Sequence, residues 1–112
     1  MTKVKVQPGS CGFSVSISAD KGPGKVISVT IESDCEMVRK MAEDIKTLDR
    51  FAPLTGLLTN PVYRAAAKHL KHAACPVPAA VLKAIEVEAG LNVAKDATIV
   101  FQNEKSGSGE KS

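Results

Sequence analysis

Apolar and polar residues alternate strictly near the start of the chain. Phe13, Val15, Ile17 and Ala19 interleave with Ser14, Ser16 and Ser18, the period of two that a half-buried strand requires. Ile27, Val29 and Ile31 repeat the pattern against Ser28, Thr30 and Glu32, and Lys21-Gly22-Pro23-Gly24 between them has the chemistry of a turn. With Val4 and Val6 in a preceding strand, the first third predicts a three-stranded antiparallel meander with one apolar face.

The period then changes to that of a helix. Ser33-Asp34-Cys35-Glu36 has the form of a capping box with Ser33 as N-cap, and Met37, Val38, Met41, Ile45 and Leu48 follow at helical spacing. Residues 50–59 are apolar but aperiodic and predict a packed connection. Asn60-Pro61 is a helix start, an N-cap followed by a first-turn proline. Val62, Tyr63, Ala66, Leu70 and Ala73 fit one face of a second helix running to the neighbourhood of Cys75, where Pro76 disfavours α geometry in the residue before it. A third helix from about Pro78 carries Val81, Leu82, Ile85 and Ala89 and ends at Gly90. Ala97, Ile99 and Phe101 then alternate, predicting a last strand over residues 96–102. The expected fold is α+β: the meander plus a C-terminal strand, one face covered by three helices. Residues 1–102 form a single domain in this reading, and 103–112, polar and rich in Gly and Ser, a flexible tail.

Composition narrows the function classes. The chain has 112 residues, a formal charge of +3, three phenylalanines, one tyrosine and no tryptophan. Its basic residues are scattered, and aromatic platforms for bases are absent, so nucleic acid is not an expected partner. No segment approaches the roughly 18 apolar residues of a membrane span, and the start lacks the apolar core of a signal peptide. A cytoplasmic location is the default expectation, and there disulfides rarely persist. A protein partner is left open.

The candidate chemistry lies in three cysteines. Cys11 sits in the turn Pro8-Gly9-Ser10-Cys11-Gly12, Cys35 opens the first helix, and Cys75 precedes the third. If the second and third strands pair as a hairpin, the residues before one and after the other share an edge of the sheet. Neighbouring strands there are about 4.8 Å apart, which brings Cys11 and Cys35 within reach of one metal. Helix N-termini favour the thiolate form at Cys35 and Cys75. His72, three residues before Cys75 and three after His69 on one expected helical face, is the favoured fourth ligand. A Cys3His site suits zinc, and three thiolates with one further position suit an iron–sulfur cluster. The cysteines are far apart in sequence and form no compact Cys-x-x-Cys motif.

Other features have simpler readings. Met37 and Met41 are at core spacing, His69 is a helix-surface residue, and Glu86 and Glu88 point to opposite sides of their helix. Glu32, Asp34 and Glu36 form a small acidic group around Cys35 that could add oxygen ligands, although helix capping explains Asp34 and Glu36 more simply.

The layout resembles small cysteine domains of the TSCPD type. There, a first cysteine near the domain start is followed by strands, a second opens a helix, and a third lies in a late Cys-Pro segment leading another helix. The counterparts are Cys11 in Gly9-Ser10-Cys11-Gly12, Cys35 in Ser33-Asp34-Cys35-Glu36 and Cys75 in Ala74-Cys75-Pro76-Val77. The resemblance implies a metal, zinc in the first place, held by the cysteines. The chain is also similar to an uncharacterised family of small prokaryotic proteins with CGF, SDCE and CPVP motifs, a likeness that implies no activity.

Three expectations follow. The first is an accessory or structural protein binding zinc or an iron–sulfur cluster through Cys11, Cys35, Cys75 and His72. The second is a thiol oxidoreductase with Cys35 as nucleophile, resolved by Cys11 or Cys75. The third is an interaction module with inert cysteines.

Overall fold

The computed structural model describes residues 1–102; the expected tail, 103–112, lies outside the described residues. Four strands, β1 (Thr2–Val6), β2 (Val15–Lys21), β3 (Val26–Ser33) and β4 (Thr47–Asp49), form one antiparallel sheet in the order β1-β2-β3-β4. Helices α1 (Glu36–Asp44), α2 (Pro61–His69) and α3 (Val77–Glu88) complete an α+β fold, with a short 3-10 turn at Ala52–Leu54. The meander is as expected. Val15, Ile17, Ala19, Ile27 and Val29 are buried on one face, while Ser16, Asp20, Ser28 and Thr30 are exposed on the other.

The core lies between that face and the helices. Val38 and Met41 of α1, Val62, Ala65 and Ala66 of α2, and Val77, Val81, Ala84 and Ile85 of α3 are buried in one cluster with the strand residues. Helix α3 packs on β1 and β2, and α1 on β3.

Five expectations need correction. The fourth strand is not residues 96–102, which pair with nothing in the described sheet; its place beside β3 is taken by β4, with Ile27 opposite Leu48. Leu48 therefore belongs to a strand and not to α1, which ends at Asp44 with Ile45 as a buried C-cap. Cys35, not Ser33, is the N-cap of α1; the Ser33 hydroxyl instead accepts a 3.0 Å bond from the Cys35 N–H, a local turn that competes with capping. Helix α2 stops at His69, well short of Cys75. Leu70 turns extended and packs against the core, so the helix cannot continue. The 50–59 connection is also less packed than expected: Ala52 is buried, but Leu54, Leu57 and Leu58 are exposed.

Two polar devices fix the helices. Asn60 is 1% exposed. Its Oδ1 accepts from the Val62 and Tyr63 N–H groups, and its Nδ2 donates to the Ala52 carbonyl at 2.9 Å. One side chain thus caps α2 and satisfies a buried carbonyl in the preceding connection. At the other end of the fold, Glu88 accepts from the Thr2 hydroxyl (2.7 Å) and the Lys21 N–H (2.9 Å), with the amino-terminal ammonium 3.5 Å away. The Thr2 and Lys21 bonds, helped by the ammonium charge and opposed by partial burial, hold the Glu88 carboxyl below the usual glutamate range.

Replacing Asn60 by Ala removes the cap and strands the Ala52 carbonyl, and should cost about 2–4 kcal/mol, read as a lower denaturant midpoint with unchanged slope. For Glu88 the folded-state pKa is depressed. Its contribution is therefore complete above the unfolded value of about 4.3 and is lost as pH falls through the folded value. Glu88→Gln should lower stability at neutral pH and flatten the acid limb of a urea-midpoint titration; an acid limb identical to wild type would remove Glu88 from that account.

Candidate thiolate site

The strand register sets one edge of the site. Val15 pairs with both Val6 and Ser33, so the end of β1, the start of β2 and the end of β3 lie together. The loop from β1 to β2 carries Cys11 at that edge, and Cys35 follows Ser33 directly. Helix α3 supplies the third arm. Its last residue, Glu88, is bonded to Thr2 and Lys21 at the opposite edge. A helix of 12 residues rises about 18 Å, so running back along β1 from there it delivers its N-terminus, and Cys75 with it, to the Val6–Val15–Ser33 edge.

The electrostatics agree with this convergence. Burial raises the Cys75 thiol above its ordinary value; the Val77 N–H, bonded to it, acts the other way; and the charges of Cys11 and then Cys35 raise it further. Both other sulfurs are thus near enough for their charge to act at Cys75. The expected thiolate preference of Cys75 is overturned: the helix N-terminus acts in the expected sense, but desolvation outweighs it. All three cysteines are free. Cys35 and Cys75 are half-buried against the core, and Cys11 is exposed.

The Cys11 loop stands apart from the packing. Gly9 and Gly12 have φ of +101° and +76°, conformations that favour glycine, and open space surrounds both. The Gly12 N–H closes the turn on the Gly9 carbonyl at 2.9 Å. Cys11 is therefore presented on a tight turn with no side-chain packing around its glycines.

The histidines separate. His69, at the end of α2, bonds Asp44 of α1 through Nε2 at 2.8 Å. His72 lies beyond the helix in an exposed turn whose carbonyl accepts from the Cys75 N–H at 3.2 Å. The two do not share a helical face, because α2 has ended between them. His72 thus stays within one turn of Cys75, with an exposed ring. Among the described residues, no three His, Cys, Asp or Glu side chains stand close enough to hold a metal ion as they are. Nor do the cysteines line either of two open surface grooves, one between α1 and α2 around Asp44, Arg64 and Lys68, the other over β3 and α1. No helix among the described residues is long and apolar enough to cross a membrane.

Sequence reasoning missed Glu88, whose bonds reach 86 residues back to Thr2 and tie the end of α3 to β1 and β2. Only its position in the last turn of an apolar helix was visible, and that does not name a partner.

The model of a family of unknown function (DUF6951) matches residues 2–101, and the chain belongs to that family. No curated protein and no solved structure matches it.

In metal-free protein, Cys11→Ser and Cys35→Ser should each move the Cys75 titration downward, with burial keeping it above an ordinary thiol. The pH dependence of Cys75 alkylation, followed by mass spectrometry of its peptide, measures this. An unmoved curve in both variants would mean that the three thiols do not share a field.

Proposed function

We propose that this member of the DUF6951 family binds one metal centre, zinc or an iron–sulfur cluster, through Cys11, Cys35 and Cys75, in a structural or accessory role. The observation that carries this reading is that the α3 N-terminus brings Cys75 to the sheet edge of Cys11 and Cys35, where burial first, and then the charges of those two sulfurs, raise the Cys75 thiol against a single opposing backbone N–H. Thiolates gathered in this way lack a counter-charge. A nucleophilic cysteine needs an environment that lowers its pKa, and the surroundings of Cys75 do the reverse, which speaks against Cys75 itself as a nucleophile. A bound cation supplies what is missing, since metal coordination deprotonates thiols outright. The donor set fits a thiophilic ion, and the TSCPD-like order of the cysteines supports the same reading.

Binding in this reading requires the three cysteines to close on one another. Cys35 and Cys75 are seated against the core, whereas Cys11 rides on the exposed glycine turn, the segment with the least packing to give up. His72, in the turn that contacts the Cys75 backbone, is the candidate for the fourth position.

Elemental analysis and an absorption spectrum of protein purified without oxygen or chelators test the proposal. About one equivalent of zinc, or iron with a broad visible band, is expected, with a chelator-sensitive melting temperature. Cys11→Ser, Cys35→Ser and Cys75→Ser should each weaken binding by more than the roughly 10–100-fold that loss of an outer-shell partner costs. His72→Ala should weaken it less. Full occupancy in all three serine variants would overturn the assignment. A metal-free protein that forms a reversible disulfide between two of these cysteines would replace it with thiol redox chemistry.

A further inference from the structure

The chain after α3 has the pattern of a strand but no sheet to join. Helix α3 closes at Ala89, Gly90 takes a φ of +78°, and residues 91–102 are exposed throughout. Ile99, Val100 and Phe101 are 87%, 73% and 97% exposed, an uncommon state for consecutive large apolar residues. The molecule measures 55 × 30 × 25 Å. Its longest axis exceeds the next by 25 Å, the length of about seven or eight residues of extended chain. The excess is what an arm standing away from the body would give.

The same molecule has an open place for a strand. Because the sheet order is β1-β2-β3-β4, the outer edge of β1 pairs with no described strand. β1 is five residues long, the length of segment 97–101. Thr2, Val4 and Val6 lie on the helix-covered face, opposite the buried Ala19, Ile17 and Val15. Val4 is only half-buried there, although its partner Ile17 is 1% exposed, so this flank of the core ends one strand early.

We propose that residues 97–101 of one copy add as a strand to the free edge of β1 in a second copy, with the exchange made reciprocally to give a two-fold dimer. Side chains alternate across a sheet. In this register Ala97, Ile99 and Phe101 take the helix-covered face, extending the row of Val4 beside α3. Thr98 and Val100 then fall on the open face with Lys3 and Lys5. Backbone pairing blunts an edge otherwise open to non-specific association, and side-chain alternation gives the docking its specificity. A second copy is the occupant because the alternation at 97–101 matches that of β1 within one sequence, while the arm is exposed and unpaired in its own subunit. Two-fold reciprocity satisfies both arms and both edges at once. This inference is independent of the metal reading, since arm and β1 edge contain no cysteine.

Sedimentation and light scattering of the full chain, with and without Ile99→Asp/Phe101→Asp, provide the test. Wild type should be dimeric at micromolar concentration, with slow amide exchange over residues 97–101 and over β1. The double variant should raise the dimer dissociation constant at least about tenfold with an unchanged fold by circular dichroism, since the altered residues touch nothing in their own subunit. A dimer unaffected by the double variant, or one with fast exchange at 97–101, would overturn the proposal. A monomeric wild type would also overturn it; slow exchange at 97–101 in that monomer would mean that the arm folds back on its own β1.

Discussion

The packing of α3 across β1 and β2 is the constraint on which the rest of this structure depends. Val77, Val81, Ala84 and Ile85 are each fully buried and supply the largest share of any helix to the core. At about 1.5–3 kcal/mol for each large aliphatic side chain taken from water, this helix accounts for much of the hydrophobic term. Hydrophobic contact has no direction of its own, however. Glu88 ties the C-terminal end of α3 to the Thr2–Lys21 edge, its carboxylate accepting from one side chain and one backbone group there. With that end fixed, the other end has one place to go, and Cys75 arrives beside the loop of Cys11 and the cap of α1.

At that edge opposing effects can be ranked. The N-terminus of α3 offers Cys75 a backbone N–H, and in isolation that would favour the thiolate. Removal of the sulfur from water is larger, and the two neighbouring thiols add to it. Cys75 as it stands favours its protonated form. In the metal reading proposed above, a cation would replace the Cys75 proton and offset that burial.

Much of this was legible in the sequence. The alternation at Val15, Ile17 and Ala19, and again at Ile27 and Val29, reports a half-buried sheet because period two belongs to strands alone. Asn60-Pro61 was legible because capping is chemistry between near neighbours. The pairing of β2 with β3, on which the expectation for Cys11 and Cys35 rests, was legible because a hairpin is also local. The end of α2 was not legible: Ala65, Ala66 and Ala67 favour helix, and only the tertiary demand on Leu70 stops it. The strand at 96–102 was misassigned for a related reason. Its residues have strand character, but pairing depends on a free edge in the right place, which local pattern cannot report. β4 was missed because three residues, Thr47–Asp49, are too few to show a period. The position of Cys75 rested on a contact between residues 2 and 88, beyond the reach of any local signal.

The sequential order of the sheet has a kinetic side. Each strand pairs with its immediate neighbour in the chain, so the meander consists of short-range hairpins that form in about 1–10 μs. The closure of α3 onto β1 joins the two ends of the domain and costs the most loop entropy. The strand ends that flank Cys11 and Cys35 are therefore aligned early, and Cys75 reaches that edge only when the last helix docks. The three-thiol edge is thus a late product of folding, and a chain interrupted before that docking exposes an edge with two thiols and no third.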